Sequence, residues 1–302
     1  MARGPRRRFV ALLIALALAG VACDSPDTAS TTEGTTPTTT TSTSDPSTTS
    51  TVITSTTSTT TNPEPAPPPA ESPNGAEVLV PAGDGPFPAV VLVHGGGWIV
   101  GDPSSMASLA LHLTDAGFLT VNTPYQLSLR SPGFPGAVED VSCAVAFAAN
   151  HPESSGDVTV VGHSAGAHIG ALVALDASPY DDECEVADAG APARFVGLAG
   201  PYDVDRLGPF VFPFFGVEPQ ENPGIWEAGN PLQLVGVNPG IEVLLIHGDE
   251  DEVVPADFSE EFAEALAVGG VDVTLEILEG VDHPGARSPS IVGELIVGWI
   301  GG

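Results

Sequence analysis

From about residue 75 to the end, short apolar runs alternate with longer stretches whose apolar positions recur at helical spacing. Residues 88–93, 118–122, 157–161, 195–199, 242–247 and 271–278 read as strands. Near-continuous apolar runs of this length suit strands buried on both faces. Residues 104–116, 135–150, 257–268 and 288–300 read as helices, with Ser104 at the capping position of the first. In the second, Val138, Val141, Val145 and Ala149 fall on one face. The alternation predicts an α/β fold, a mostly parallel sheet with helices on both faces. A region of roughly 225 residues can bury about 70% of its surface around one core. The rhythm lapses over residues 201–230, where Phe210, Phe212, Phe214, Phe215 and Trp226 are interleaved with Pro and Gly. That segment reads either as a lid or acyl-pocket wall, or as irregular packing. No internal repeat is visible.

The first 74 residues follow a different pattern. Arg3, Arg6, Arg7 and Arg8 precede an apolar run over residues 9–21, broken only by Gly20. The run is short for a membrane span and has the charged and apolar regions of a secretory signal. It ends in Leu18-Ala19-Gly20-Val21-Ala22-Cys23, which resembles a bacterial lipobox with Cys23 as the lipidated residue. Gly20 departs from the leucine usual there, and a simple signal-peptidase cut after Ala22 is the alternative. Between Thr28 and Thr61, 26 of 34 positions are Thr or Ser, and prolines follow. Such a segment cannot bury a core and is expected to be a disordered stalk or linker, its Ser and Thr open to O-glycosylation. As a coil its ~50 residues would span roughly 40 Å, and stiffened about 150 Å. The expected organisation is a signal peptide over 1–22, a lipidated cysteine and stalk over 23–74, and a catalytic domain over 75–302. The product would be exported, and held at a membrane through Cys23 or freely secreted.

Charge narrows the partners. All eight cationic residues are arginine, against 39 acids, for a formal charge of −31. Removing residues 1–22 removes four arginines and no acid, which takes −31 to −35. Only Arg130, Arg194, Arg206 and Arg287 remain against 39 acids, too few to neutralise phosphates, so nucleic acid is not expected as a partner. Polyanionic substrates are opposed as well.

The chemistry centres on Val158-Thr159-Val160-Val161-Gly162-His163-Ser164-Ala165-Gly166. An apolar strand runs into G-x-S-x-G and then into an apolar helix. A serine hydroxyl needs exposure, a base and anion stabilisation to act as a nucleophile, and a tight strand–helix elbow supplies the first. The bland alternative is a Gly-rich turn. Upstream, Val93-His94-Gly95-Gly96-Gly97-Trp98 ends a strand in three glycines. The N–H groups of Gly96, Gly97 and Ala165 would form an oxyanion hole, in which one lost donor costs about 3–4 kcal/mol. His94 precedes the nucleophile and is expected to anchor that loop. Downstream, His247-Gly248-Asp249-Glu250-Asp251 offers three acids, of which Asp251 is preferred over Asp249 and Glu250 as the partner of a base. His283 is the last histidine and the only one after that acid, so it is the expected base. His112, His151 and His168, on or beside helices, are expected to be structural, and His163, beside the nucleophile, is not expected to be the base. No metal or cofactor is implied.

With Cys23 assigned to the lipobox, Cys143 and Cys184 remain in a domain facing an oxidising compartment, and a disulfide between them is expected. Cys143 lies in the helix before the elbow strand, and Cys184 in an acidic loop after the elbow helix. Those helices are expected on opposite sides of the elbow strand's neighbours, so that the loop has to reach back over an edge.

Taken together, the run at 94–98, Gly162–Gly166, the run at 247–255 and the His283 loop resemble the α/β-hydrolases that join HGGGW to GHSAG. These are hormone-sensitive-lipase-like, kynurenine-formamidase-like and BD-FAE-like esterases. Tyr125-Gln126-Leu127, Phe134-Pro135 and Glu139-Asp140-Val141 also resemble that group, with Gln126 where arginine is usual. Of the two antiparallel strands that the group carries before HGGGW, only residues 77–80 are clear. The resemblance implies an α/β-hydrolase fold and a serine carboxylesterase acting on a small ester. Rival readings are an amide or formamide hydrolase using the same residues, and a catalytically idle surface-binding domain.

Overall fold

The computed structural model describes residues 72–180, 184 and 191–302. The signal segment, Cys23 and the stalk up to residue 71 lie outside the described residues. Everything described belongs to one compact unit.

Seven strands form one sheet in the order β1-β3-β2-β4-β5-β6-β7. They are β1 (Glu77–Leu79), β2 (Phe87–Val93), β3 (Leu119–Thr123), β4 (Ser154–His163), β5 (Arg194–Leu198), β6 (Glu242–Gly248) and β7 (Asp272–Leu278). β1 is antiparallel to β3, and every other pairing is parallel. A single antiparallel edge strand is therefore present among the described residues, in keeping with the shortened start of the domain read from sequence. The helices are α1 (Ala107–Asp115), α2 (Gly136–Asn150), α3 (Ala165–Leu175), α4 (Val204–Leu207), α5 (Phe212–Phe215), α6 (Pro223–Ala228), α7 (Asp257–Val268) and α8 (Glu294–Gly301).

The pleat divides the core in two. Val91 and Val93 of β2, Val160 of β4 and Leu245 of β6 face α2, α3 and α7. Val90, Leu92, Val161, Leu244 and Ile246 face α1 and α8. Alternation with period 2 along strands apolar on both sides is what a covered parallel sheet requires. Every residue of α3 is buried, which explains why its sequence is apolar all round.

Three local expectations are corrected. Asp102, not Ser104, caps the segment leading into α1: its carboxylate accepts from the N–H of Ser104 at 2.8 Å. That segment starts as a 3-10 turn, Pro103–Met106, before α1 takes over. The last helix likewise opens with a π turn over Pro289–Gly293. Third, α2 and α3 lie on the same face of the sheet, in one core cluster. The Cα atoms of Cys143 and Cys184 stand 5.2 Å apart and their sulfurs at bonding distance.

In the 201–230 segment the buried aromatics follow the packing reading, and nothing among the described residues places the segment as a wall of the Ser164 site. Phe214, Phe215 and Trp226 are buried, while Phe210 and Phe212 are about 40% exposed, at 43% and 37%. Phe214 packs 5.7 Å from the Trp98 ring and 5.4 Å from His168, so this part of the segment buttresses the glycine loop. Phe212 lines an open pocket of about 290 Å³ with Asp205, Glu218 and Trp226. None of the residues around Ser164 lines that pocket. Gln126, where an arginine was expected, works without charge. Its N–H donates to Asp140 Oδ2 at 2.7 Å and its side chain to the Pro132 carbonyl at 2.6 Å.

Candidate active site

Loops at the carboxyl ends of β2, β4, β6 and β7 meet around Ser164, the side of a parallel sheet where ligands bind. β4 ends at His163, and α3 begins at Ala165. Ser164 between them has φ 55° and ψ −121°, a left-handed conformation that side chains rarely adopt. Its N–H donates to the Leu198 carbonyl of β5 at 2.9 Å, and its own carbonyl accepts from Ala167 and His168. The elbow is tight because two backbones cross it. A Cβ on Gly162 would stand 2.3 Å from the Gly166 oxygen, and one on Gly166 would stand 2.2 Å from the Val93 oxygen. Glycine two residues either side of the serine is thus a steric requirement.

The glycine loop passes beside Ser164. A Cβ on Gly95 would stand 3.0 Å from Ser164 Cβ. Gly96 and Gly97 have φ 132° and 58°. The carbonyl of Gly96 accepts from Ile99 and Val100, closing the turn. Among the described residues the N–H groups of Gly96, Gly97 and Ala165 donate to no acceptor, which leaves them available to a developing oxyanion. Ala165 also begins a fully buried helix, whose dipole adds positive potential there.

Ser164, His283 and Asp251 form one hydrogen-bonded line. His283 Nε2 is 2.9 Å from Ser164 Oγ, and its Nδ1 is 2.6 Å from Asp251 Oδ2. The two hydrogen bonds fix the ring: Nδ1–H donates to the carboxylate, leaving Nε2 free to accept from the serine. Asp251 Oδ1 accepts from the N–H groups of Val253 and Val254, each at 2.8 Å. Burial pushes the Asp251 pKa up, but hydrogen bonds from His247 and His283 and the backbone outweigh it and hold the carboxyl below its usual range. The competing acids are elsewhere. Asp249 accepts from the N–H of Gly280 at 2.7 Å, and Glu250 is exposed.

The other histidines tie loops together. His94 stacks on Tyr125 at 4.4 Å, with Nδ1 2.7 Å from the Gly95 carbonyl, as expected of a loop anchor. His163 donates from Nε2 to the His283 carbonyl at 3.0 Å, linking the end of β4 to the loop that carries His283. His168 accepts from the Trp98 indole at 3.2 Å and donates to the Gly229 carbonyl at 2.9 Å. Burial, with the nearby His283, depresses the pKa of His163 to about 3; burial alone depresses that of His168 to about 4. The described hydrogen bonds of both rings go to partners other than Ser164 Oγ, which His283 approaches instead. Sequence reasoning assigned no role to His247, whose side chain touches Asp251 at 3.2 Å. The available signal was a histidine closing an apolar strand, four residues before the acid. No group of side chains among the described residues could hold a metal ion.

This fold with this site defines an α/β-hydrolase. The chain belongs to the BD-FAE family, whose model matches residues 77–266. Esterase LipQ of Mycobacterium tuberculosis is 29% identical over 211 residues, covering 65% of this chain and 50% of LipQ. Probable isoprenylcysteine alpha-carbonyl methylesterase ICMEL1 of Arabidopsis thaliana is 29% identical over 220 residues, covering 66% of this chain and 46% of that one. The chain thus spans about half the length of these relatives. Among solved structures, a truncated carbohydrate esterase from gut microbiota superposes with a TM-score of 0.64 at 20% identity, covering 74% of this chain and 88% of that one. Esterase Est2 of Thermogutta terrifontis with propionate bound gives 0.60 at 19% identity, covering 74% and 89%. These superpositions show a shared fold. The family match contains Ser164 and Asp251 and ends before His283, which is joined to them by geometry.

Two stability measurements test this account. Gly166→Ala is expected to cost about 3 kcal/mol or more, because backbone blocks the new Cβ. Gly97→Ala, with nothing within 4 Å, is expected to cost only ~1–2 kcal/mol of left-handed strain. Melting temperatures of the two variants would then differ clearly, and equal values would contradict the crossing. The second is pH. Above the ordinary imidazole value of about 6.5, folded and unfolded chains both hold His163 and His168 neutral. As pH falls toward about 4 and about 3, the unfolded chain takes up protons that these buried rings refuse, so stability declines. Asp251, whose folded pKa is depressed, adds a further loss only below the usual carboxylate range. A melting temperature that holds or rises between pH 7 and 4.5 would contradict neutral burial.

Proposed function

We propose that this chain is an exported serine hydrolase that cleaves small carboxylic esters through Ser164, His283 and Asp251. The hydrogen-bonded line from Ser164 Oγ through His283 to Asp251 carries the reading. Ser164 Oγ attacks the ester carbonyl carbon while His283 Nε2 takes its proton. The N–H groups of Gly96, Gly97 and Ala165 stabilise the oxyanion, and Asp251 orients the ring and stabilises the imidazolium. Collapse breaks the carbon–oxygen bond, and His283 returns the proton to the leaving alcohol. Water, deprotonated by the same imidazole, then hydrolyses the acyl-enzyme and frees the acid and Ser164. The names of the relatives, esterase and methylesterase, support an ester as the substrate class. The first 74 residues complete the proposal. The signal segment directs export, Cys23 carries lipid, and the Thr- and Ser-rich stalk holds the domain away from the membrane.

A panel of nitrophenyl esters and aryl formamides separates ester from amide chemistry, and a fluorophosphonate probe separates either from an idle domain. Ester turnover with one label per chain is expected. Ser164→Ala and His283→Ala are expected to abolish turnover with the fold intact. Asp251→Asn should lower kcat by about 10⁴-fold through the wrong tautomer. Glu250→Gln should stay within a few-fold of the parent. An unlabelled wild-type chain would end the hydrolase reading, and an inactive Glu250→Gln with an active Asp251→Asn would overturn the choice of acid.

The export reading has its own measurements. Cys23→Ser should release or mislocalise the protein, whereas wild-type protein wholly in the culture fluid without lipid mass would argue for simple secretion. Cys143 and Cys184 should be paired, so unfolded, unreduced domain should contain no free thiol. In the chain-entropy model a bridge across 41 residues contributes at most ~4 kcal/mol. Two free thiols per domain would remove it.

A further inference from the structure

Asp251 has a second imidazole partner that the proposed reaction does not use. His247 closes β6 and is wholly buried. Its Nε2 lies 2.8 Å from the Val254 carbonyl and 3.2 Å from Asp251 Oδ2. Both neighbours only accept, so Nε2 carries the hydrogen; it is directed chiefly at the carbonyl, with the carboxylate as a longer second acceptor. Its Nδ1 lies 2.7 Å from Oγ of Ser259, itself fully buried on α7. Nδ1 and that hydroxyl share the ring's other hydrogen bond. A five-group chain therefore runs from Ser164 through His283, Asp251 and His247 to Ser259.

The arrangement does more than fill a core. Val254 gives its N–H to Asp251 Oδ1 and its carbonyl to His247. The turn that seats the carboxylate is thereby clamped from both sides, and the clamp is bolted to α7. Oδ2 is the oxygen His283 uses, and it is also the one His247 faces. An N–H directed at that oxygen shares the carboxylate charge with His283. The titratable and charged groups facing this pair from the packed elements are His247 from β6, His163 from the end of β4, and Arg287 from the base loop acting on His163.

We propose that His247, held in one tautomer by the Val254 carbonyl and the Asp251 carboxylate and steadied at its other nitrogen by Ser259, is a positioning residue that fixes the Asp251 carboxylate and thereby sets the basicity of His283. This rests on the hydrolase reading above. Without the His247 N–H the carboxylate keeps more of its charge, the imidazolium of His283 is better stabilised, and the base stays protonated to higher pH.

The test compares wild-type, His247→Leu, His247→Gln and Ser259→Ala full-length protein on one nitrophenyl ester across pH, with melting temperature and fluorophosphonate labelling measured alongside. His247→Leu is expected to lose about 10–100-fold in kcat, by analogy with the loss on removing a partner that orients a metal ligand. KM should hardly change, and the acidic limb of kcat/KM should move to higher pH. Glutamine, whose amide N–H reaches the place of Nε2, should restore most of both. Ser259→Ala, a small change that tests the proposal even if leucine prevents folding, should move the limb in the same direction by less. Variants with lowered melting temperature but an unmoved limb and unchanged kcat would overturn the proposal, leaving His247 a packing residue. A wild-type chain with no turnover and no label would instead overturn the hydrolase reading, and this inference with it.

Discussion

The site depends on one close approach of backbone to backbone. α3 starts so near the end of β2 that a Cβ on Gly166 would overlap the carbonyl oxygens of Val93 and His94. That contact brings the strand carrying the glycine loop and the elbow carrying Ser164 together, since both meet at these few atoms. It also forces Ser164 to φ 55°. Such a conformation costs of order 1–3 kcal/mol and persists only where the surroundings over-determine it. Here they do: the serine N–H is held by β5, its carbonyl by the first turn of α3, and its Cβ lies against Gly95. Neither glycine can be exchanged for packing gained elsewhere, because the obstructing atoms are main chain.

Around that crossing, histidines act as fixed ties. His94, His163, His168 and His247 are all buried, and each is bonded to a backbone carbonyl. A neutral imidazole suits this duty, since it bonds at two opposite corners with one donor and one acceptor. Burial keeps His163 and His168 from charging, so they pin loops without adding fields near the reaction. His283 differs in having its accepting nitrogen turned toward a hydroxyl instead of a structural partner. Six histidines after the signal segment precede it in the chain, and its bonding partners, not its residue type, set it apart.

Most of this was legible where the cause is local. Strands, elbow, glycine loop and terminal histidine each sit in one short run, and apolar period or glycine spacing announces them. Asp251 could be preferred over Asp249 and Glu250, and the structure separates them by what each bonds. What escaped was set by tertiary placement. Asp102 takes the cap from Ser104 because the turn before α1 is a 3-10 turn. α2 and α3 share a face, which no periodicity in either helix could reveal. The 201–230 segment folds as helices of four to six residues, too short to leave a periodic trace. His247 sat within a quoted motif, yet its partner Ser259 is twelve residues on, in another element.

The acidity of the chain bears less on the chemistry than its size suggests. Arg194 at the start of β5 holds Asp157 of β4 and Glu242 of β6, at the amino end of the sheet, opposite Ser164. Arg206 holds Asp257 and Glu261, joining α4 to α7. Each arginine thus serves two carboxylates, a scarce cation shared across element boundaries. Exposed pairs of this kind are worth about 0–1 kcal/mol apiece, so their value is in register more than in stability. Screening over about 8 Å at physiological ionic strength limits what the remaining surface acids contribute at Ser164. The carboxylate that matters there, Asp251, is buried and enclosed by N–H donors from Val253, Val254, His247 and His283. The groups that bond Asp251 and His283 all lie within a few ångströms of them, and a surface of either sign could surround the same site.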